Sequence, residues 1–272
     1  MQKASEKLPF GTKEFAKSNV NPMIHCSLNC RYCYAKLFAL RFKRIESAGE
    51  WQNEVSNMNV IEQNFRERKG WIMFPSAHNI NPSNFEYCII VLKKLLKANN
   101  KVLIVIKPDV RVIIPLLQIL QPYKSQIIFR FTITTNNQKR KAFWEPNAPS
   151  LDDSLNSLLM AFTKGYETSV NIEPFLDRNP ITLIKKVAPY VTETIWLGTM
   201  NHLGWLPKLN PDLDPNLLQE KIEYIKKISS WTNIQKIVEN LKQLPIEIKG
   251  KIRFKDSIKR MYQKKGLEVS IC

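Results

Sequence analysis

Short apolar runs of strand length alternate with amphipathic stretches of helical length from about residue 70 onward. The runs are Trp71–Ser76 (WIMFPS), Val102–Ile106 (VLIVI), Ile127–Ile133 (IIFRFTI), Thr168–Ile172 (TSVNI) and Thr194–Leu197 (TIWL), and a shorter one at Pro22–Ile24 leads into a cysteine-rich loop. Helical periodicity covers 82–98, 109–120, 150–164 and 180–188, several of these stretches opening on Asn, Asp, Ser or Pro as helix starts require. Apolar strands separated by helices imply β-α units and a parallel sheet. Six strands, each followed by a helix, predict an α/β fold, a partial (β/α)6 TIM-like barrel with its active-site groups on the loops after the strands. An open doubly wound sheet is the alternative. After Leu197 the pattern breaks into LGWLPKLNPDLDPN, a loop before a helix near 215–230 and a small basic C-terminal appendage of helical and mixed character. The expected division is an N-terminal extension at 1–19, the barrel at 20–214 and the appendage at 215–272.

Composition narrows the class. At 272 residues with 44% hydrophobic positions, the chain can bury a sizeable core. The start, MQKASEKLPFGTKEF, lacks the apolar centre of a signal peptide, and no run of about 18 apolar residues occurs, so a cytoplasmic protein with no membrane span is expected. A formal charge of +17 suits association with polyanions such as nucleic acid, or a solvated Lys-rich surface. The stretch after about residue 216, including IKGKIRFKDSIKRMYQKKG, carries roughly twice as many Lys and Arg as Asp and Glu and is a candidate phosphate-contacting surface.

The chemistry is concentrated in IHCSLNCRYCYAK, where Cys26, Cys30 and Cys33 stand at C-x3-C-x2-C spacing. Three of the five cysteines within eight residues suit a metal site in a reducing compartment better than disulfides. Iron–sulfur clusters usually take four thiolates, so this loop either borrows a distant ligand or leaves one iron open. A structural zinc site, with His25 as fourth ligand, is the other reading; it lacks the second ligand pair such sites usually have, and His78 and His202 are isolated.

This loop, with the aromatic Tyr32 just before its third cysteine, resembles the signature loop of the radical S-adenosylmethionine (SAM) superfamily. FPSAHNI, VLIVIKP, FRFTITT, FWEPNAPS, VNIEPFL and IWLGTMN, over about residues 20–202, resemble the spore-photoproduct-lyase-related, DNA-repair-photolyase-like branch. The resemblance implies a [4Fe-4S] cluster on Cys26, Cys30 and Cys33, with SAM chelated by the open iron. Reductive cleavage of SAM would then give a 5′-deoxyadenosyl radical that abstracts hydrogen from substrate, with electrons from an external donor such as flavodoxin or ferredoxin.

It also places Tyr32 near the adenine, and Ser76 and His78 where many relatives carry a Gly-Gly-Glu stretch that holds the SAM amino group. Glu173, at the end of VNIEP, would contact the SAM ribose or amine. Lys107 closes an apolar strand and either enters the cavity or surfaces. Arg130, inside IIFRFTI, needs a partner if buried, and a SAM carboxylate or Glu173 would each serve. Asn201 and Met200 would approach adenine or ribose. Trp144 and Glu145 would cover substrate or pack on the barrel rim, and Cys88, on the apolar face of the 82–98 helix, reads as an inert buried thiol. Cys272 is a candidate hydrogen donor to a substrate radical. The leading reading is an enzyme acting on nucleic acid, by lesion repair or base modification. The alternatives are the same chemistry on a protein, peptide or small metabolite, and a non-catalytic zinc-containing nucleic-acid-binding protein.

Overall fold

The computed structural model describes residues 11–271, so Cys272 lies outside the described residues. Three two-residue strands come first, β1 (Ser18–Asn19), β2 (Met23–Ile24) and β3 (Val55–Ser56). The longer strands are β4 (Trp71–Phe74), β5 (Lys101–Ile106), β6 (Ile127–Thr132) and β7 (Glu167–Ile172), followed by β8 (Ile195–Leu197) and β9 (Ile252–Phe254). Seven of them form one parallel sheet in the order β1-β4-β5-β6-β7-β8-β9. Sheet order follows chain order throughout, whereas a doubly wound sheet reverses at a switch point. The sheet curls into a half-barrel, the expected TIM-like α/β architecture.

Two expectations need correction. Met23–Ile24 does not enter the sheet; it pairs antiparallel with Val55–Ser56, and the first barrel strand is Ser18–Asn19, registered on Ile72 and Met73. The seventh strand, Ile252–Phe254, comes from the stretch expected to be an appendage and pairs with β8. The sheet therefore extends beyond both expected barrel boundaries. Its edge strands are very short, and no alternation pattern can register over two or three residues.

Helices occur in the five stretches where the periodicity places them, and further ones occur outside those stretches. They are α1 (Tyr34–Arg41), α2 (Met58–Glu62), α3 (Phe85–Lys97), α4 (Val110–Ile119), α5 (Gln138–Trp144) and α6 (Leu151–Thr163). After them come α7 (Ile181–Val187), α8 (Leu206–Leu209), α9 (Pro215–Ile228), α10 (Trp231–Lys242), α11 (Ile246–Lys249) and α12 (Asp256–Gln263). Local chemistry starts them. Asp109 caps α4 by accepting from the Arg111 N–H, Ser150 and Asp153 close a reciprocal box on α6, and Asp214 caps α9 before Pro215.

The apolar stripe of α3, including Cys88, Val91, Leu92 and Leu95, is fully buried, and Ile72, Phe74, Ile104 and Phe129 of the strands share its core. Each such side chain contributes roughly 1.5–3 kcal/mol relative to an exposed one. That packing makes the strands rigid platforms whose C-terminal ends present Ser76, Lys107, Thr134, Glu173 and Thr199. Among the described residues no helix is long and apolar enough to cross a membrane.

Candidate active site

The cysteine loop, Cys26 to Cys33, lies between β2 and α1 and is tied down on every side. The Cys26 N–H donates to the Trp51 carbonyl at 2.9 Å and the Ser27 N–H to the Glu54 carboxylate at 2.8 Å. Glu54 also accepts from Asn81 and Asn84, so the loop is clamped to the segment after β4. On the other side the Arg31 N–H donates to the Trp144 carbonyl at 2.9 Å, its Nε to the Phe143 carbonyl at 2.6 Å, and Asn147 reaches the Ser27 carbonyl at 2.9 Å. Left-handed backbone at His25 (φ 69°) and Asn29 (φ 44°) turns the chain tightly enough to direct its thiols inward.

Cys26 and Cys30 are buried in a small apolar cluster with Leu28, Ala39, Ile45 and Trp51, and Cys33 packs against it. Cys33 is also the N-cap of α1, with its Sγ accepting from the Lys36 N–H at 3.5 Å. Burial raises all three thiols, Cys26 to about 12, and Cys26 and Cys30 are raised further by the charge of neighbouring thiols, whereas Lys36 opposes the shift at Cys33. Among the described residues no three thiol, imidazole or carboxylate groups converge as one metal ion requires. An iron–sulfur cluster differs in spreading its thiolates over separate irons. His25 gives its Nδ1 to the Asn53 carbonyl at 3.0 Å and its ring to Trp51.

Two buried ammonium groups stand beside these thiols. Lys36 is 1% exposed, and its Nζ donates only to neutral oxygens, Asn29 Oδ1 at 2.8 Å and the Leu209 carbonyl at 3.1 Å. Burial lowers its pKa, while Cys33, Cys30 and, more weakly, Asp212 oppose that. A buried cation with neutral partners is costly unless a negative group stands nearby, and metal-bound thiolates supply one. The donor set therefore fits an anionic thiolate-ligated cluster.

Lys107 is the second cation. It enters the cavity, donating to Glu145 Oε1 at 2.9 Å and the Tyr32 hydroxyl at 3.1 Å. Glu145 is the hub: it accepts also from Tyr32, from Thr134 Oγ1 at 2.8 Å and from Lys141 Nζ at 2.9 Å. Burial alone would push the Glu145 carboxyl up, but Lys107 and Lys141 hold it down at about 2. Trp144 and Glu145 are thus a buried floor under the cysteine loop, not an exposed cover, because α5 ends there against the loop's backbone.

The remaining expected residues separate. Ser76 is at the mouth, its N–H donating to Asn21 Oδ1 at 2.7 Å, with its carbonyl accepting from Tyr34. His78 is buried with both ring nitrogens engaged, Nε2 accepting from the Met23 N–H at 3.3 Å and Nδ1 bonded to the Asn79 carbonyl at 3.0 Å. Burial lowers it to about 4, so it is a neutral brace under β2. Arg130 is buried and does not pair with Glu173. Its Nε donates to Ser169 Oγ at 3.0 Å and its guanidinium lies 4.4 Å from the Phe15 ring and 5.6 Å from Trp196. Phe15 comes from the segment before β1 and covers Arg130, and burial pulls the guanidinium down while the charge of Glu193 opposes that. Glu173 pairs instead with Lys255, 3.5 Å away. Met200 is buried, and Asn201 is exposed just beyond β8.

Sequence reasoning missed Lys36, Glu54, Glu14 and Lys255. Lys141 carried a usable signal, standing four residues before Glu145 on one helix face.

The parallel half-barrel and its cysteine loop were compared with known proteins. No family model matches the chain, and no curated protein matches it in sequence. Among solved structures, spore photoproduct lyase complexed with dinucleoside spore photoproduct aligns with a TM-score of 0.51 and 14% identity, covering 82% of this chain and 78% of that chain. The chain shares the fold of that lyase. A doubly substituted mutant of the lyase, with bound AdoMet and the same dinucleoside, gives the same TM-score, identity and coverage. Streptococcus suis SuiB bound to S-adenosylmethionine aligns at TM-score 0.44 and 14% identity, covering 75% of this chain and 45% of that chain.

Proposed function

We propose that this chain is a radical SAM enzyme acting on nucleic acid in the cytoplasm, with a four-iron cluster on Cys26, Cys30 and Cys33. The observation that carries the reading is the gathering of these three thiols, beside two buried lysines, on a loop clamped over a parallel half-barrel. When bound, such a cluster with SAM supplies a 5′-deoxyadenosyl radical. The chain's own residues do the rest. Lys36 and Lys107 balance the charge of ionised thiolates, Glu145 fixes Lys107 and Tyr32, and the apolar packing of Leu28, Ile45 and Trp51 keeps water away. Ser76, Lys107, Glu173 and Asn201 follow β4, β5, β7 and β8 and would line the SAM site, with Tyr32 toward adenine. His78 would support them from below, and Arg130 would serve the barrel interior.

Nucleic acid as substrate is supported by the +17 charge and by the fold shared with an enzyme whose structure holds a dinucleoside photoproduct. The lysine-rich helices after residue 215 would take flanking phosphates, and a duplex base would have to be extruded, at a cost of a few kcal/mol. An external donor of the flavodoxin or ferredoxin kind would reduce the cluster.

The test is anaerobic incubation of reconstituted protein with SAM, a reductant and separate DNA, RNA and protein fractions. The expected result is 5′-deoxyadenosine that rises with DNA or RNA. Production stimulated only by protein or peptide overturns the substrate assignment, and no SAM cleavage under any condition overturns the enzyme assignment.

A further inference from the structure

A buried ion cluster joins three distant parts of the chain at the barrel mouth. Lys255, just past β9, is 2% exposed in its side chain and lies 2.5 Å from Glu14 Oε2 and 3.5 Å from Glu173 Oε2. Its Nζ donates to the Gly11 carbonyl at 3.2 Å, and the Phe15 ring lies under the ammonium at 3.8 Å. Glu14 is held in turn by the Asp256 N–H at 3.0 Å and by Lys259 at 3.7 Å. Gly198 makes the approach possible, since a Cβ there would meet the Lys255 stem at 2.9 Å and Glu173 Cγ at 3.0 Å.

Two carboxylates share one buried lysine, and the lysine is closer to Glu14. Lys259 answers the charge of Glu14 from its other side, and Glu173 is the partly exposed member of the cluster, at 20% of its side chain. SAM carries an ammonium and a sulfonium, so an ionised Glu173 carboxylate at the mouth has the sign that would attract it.

We propose that Lys255 and Glu14 are positioning residues for Glu173, Lys255 favouring its charged form and Glu14 drawing the ammonium aside, so that carboxylate surface stays free at the mouth to receive a cationic ligand. The ligand's identity rests on the SAM reading above; the control of Glu173 by its two neighbours does not. Burial pushes the Glu173 carboxyl up to about 7, Lys255 draws it down and Glu14 pushes it up. The other groups facing it are Asn171 on β7, which hydrogen-bonds it, and Tyr34 on α1, whose hydroxyl bonds the Ser76 carbonyl.

The test is the titration midpoint of the Glu173 carboxyl, read by isotope-edited infrared difference spectra against E173Q, in wild type, E14Q, K255M and E14Q/K255M. E14Q frees Lys255 for Glu173 and lowers the midpoint by about one pH unit, and K255M raises it by about one. The double variant, a neutral pair of similar volume, falls between them and covers failure of either single variant to fold. SAM affinity by equilibrium dialysis supplies the second reading. K255M weakens it about tenfold at pH 7 and recovers by about pH 8.5, whereas E14Q weakens it at both. Midpoints that do not move overturn the positioning role even if SAM binds. Midpoints that move as stated, in a protein with no affinity for SAM, sustain the positioning role and overturn the SAM reading instead.

Discussion

Replacing Glu145 by Gln tests the buried hub most sharply. The Glu145 side chain is 0% exposed, and its partners Lys107 and Lys141 are 12% and 2% exposed. Wild type sets two positive charges against one negative; the variant leaves both ammonium groups facing a neutral amide. Breaking a buried pair in this way costs about 3–5 kcal/mol. An independent route gives a similar size: a carboxyl held at about 2 against an ordinary 4.5 prefers its charged form by roughly 3 kcal/mol. Because the folded value is depressed, this stability is present above about pH 4.5 and is lost as pH falls toward 2. Urea unfolding at pH 7 and at pH 3 therefore gives a gap of about 3 kcal/mol between wild type and E145Q at the higher pH and a smaller gap at the lower. Equal stabilities within about 1 kcal/mol at pH 7 would refute the reasoning, because the hub would then not be balancing buried charge.

Further outcomes follow from the same geometry. His78 is held neutral with a pKa near 4, below its ordinary 6.5, so its contribution is whole above pH 6.5 and declines as pH falls toward 4. The stability difference between wild type and His78→Gln, measured by thermal unfolding, narrows over that window; a constant difference counts against the brace. Gly198→Ala places a methyl within 3.0 Å of the Lys255 and Glu173 stems, which cannot both retreat, and unfolds about 1–3 kcal/mol more easily in urea. An unchanged midpoint would mean that the two stems are not confined there.

How much of this was legible in the sequence depends on range. VLIVI and IIFRFTI read as strands because continuous apolar runs bounded by polar segments have few other uses, and Lys107 was visible as a charge closing such a run. The Ser150–Asp153 box was equally plain, since capping is local. The edge strands were hidden: Ser18–Asn19 has no pattern to show, and Ile252–Phe254 is three residues inside a lysine-rich stretch. The cysteine loop announced its chemistry, but its electrostatics came from afar. Tyr32 meets Glu145 across 113 positions, and Lys255 meets Glu14 across more than twice that separation. Arg130 reads in the sequence as a charge that needs partners if buried, but aromatic rings and a hydroxyl surround it in place of Glu173, and spacing does not show which partners a buried guanidinium will meet.

The central claim is that Cys26, Cys30 and Cys33 hold an iron–sulfur cluster rather than a single ion. Metal and acid-labile sulfide analysis of anaerobically purified protein tests it directly, with each cysteine replaced in turn by Ala. The account predicts about four irons and four sulfides per chain in wild type, and loss of both in every variant. One zinc per chain, with no iron or sulfide, would contradict it.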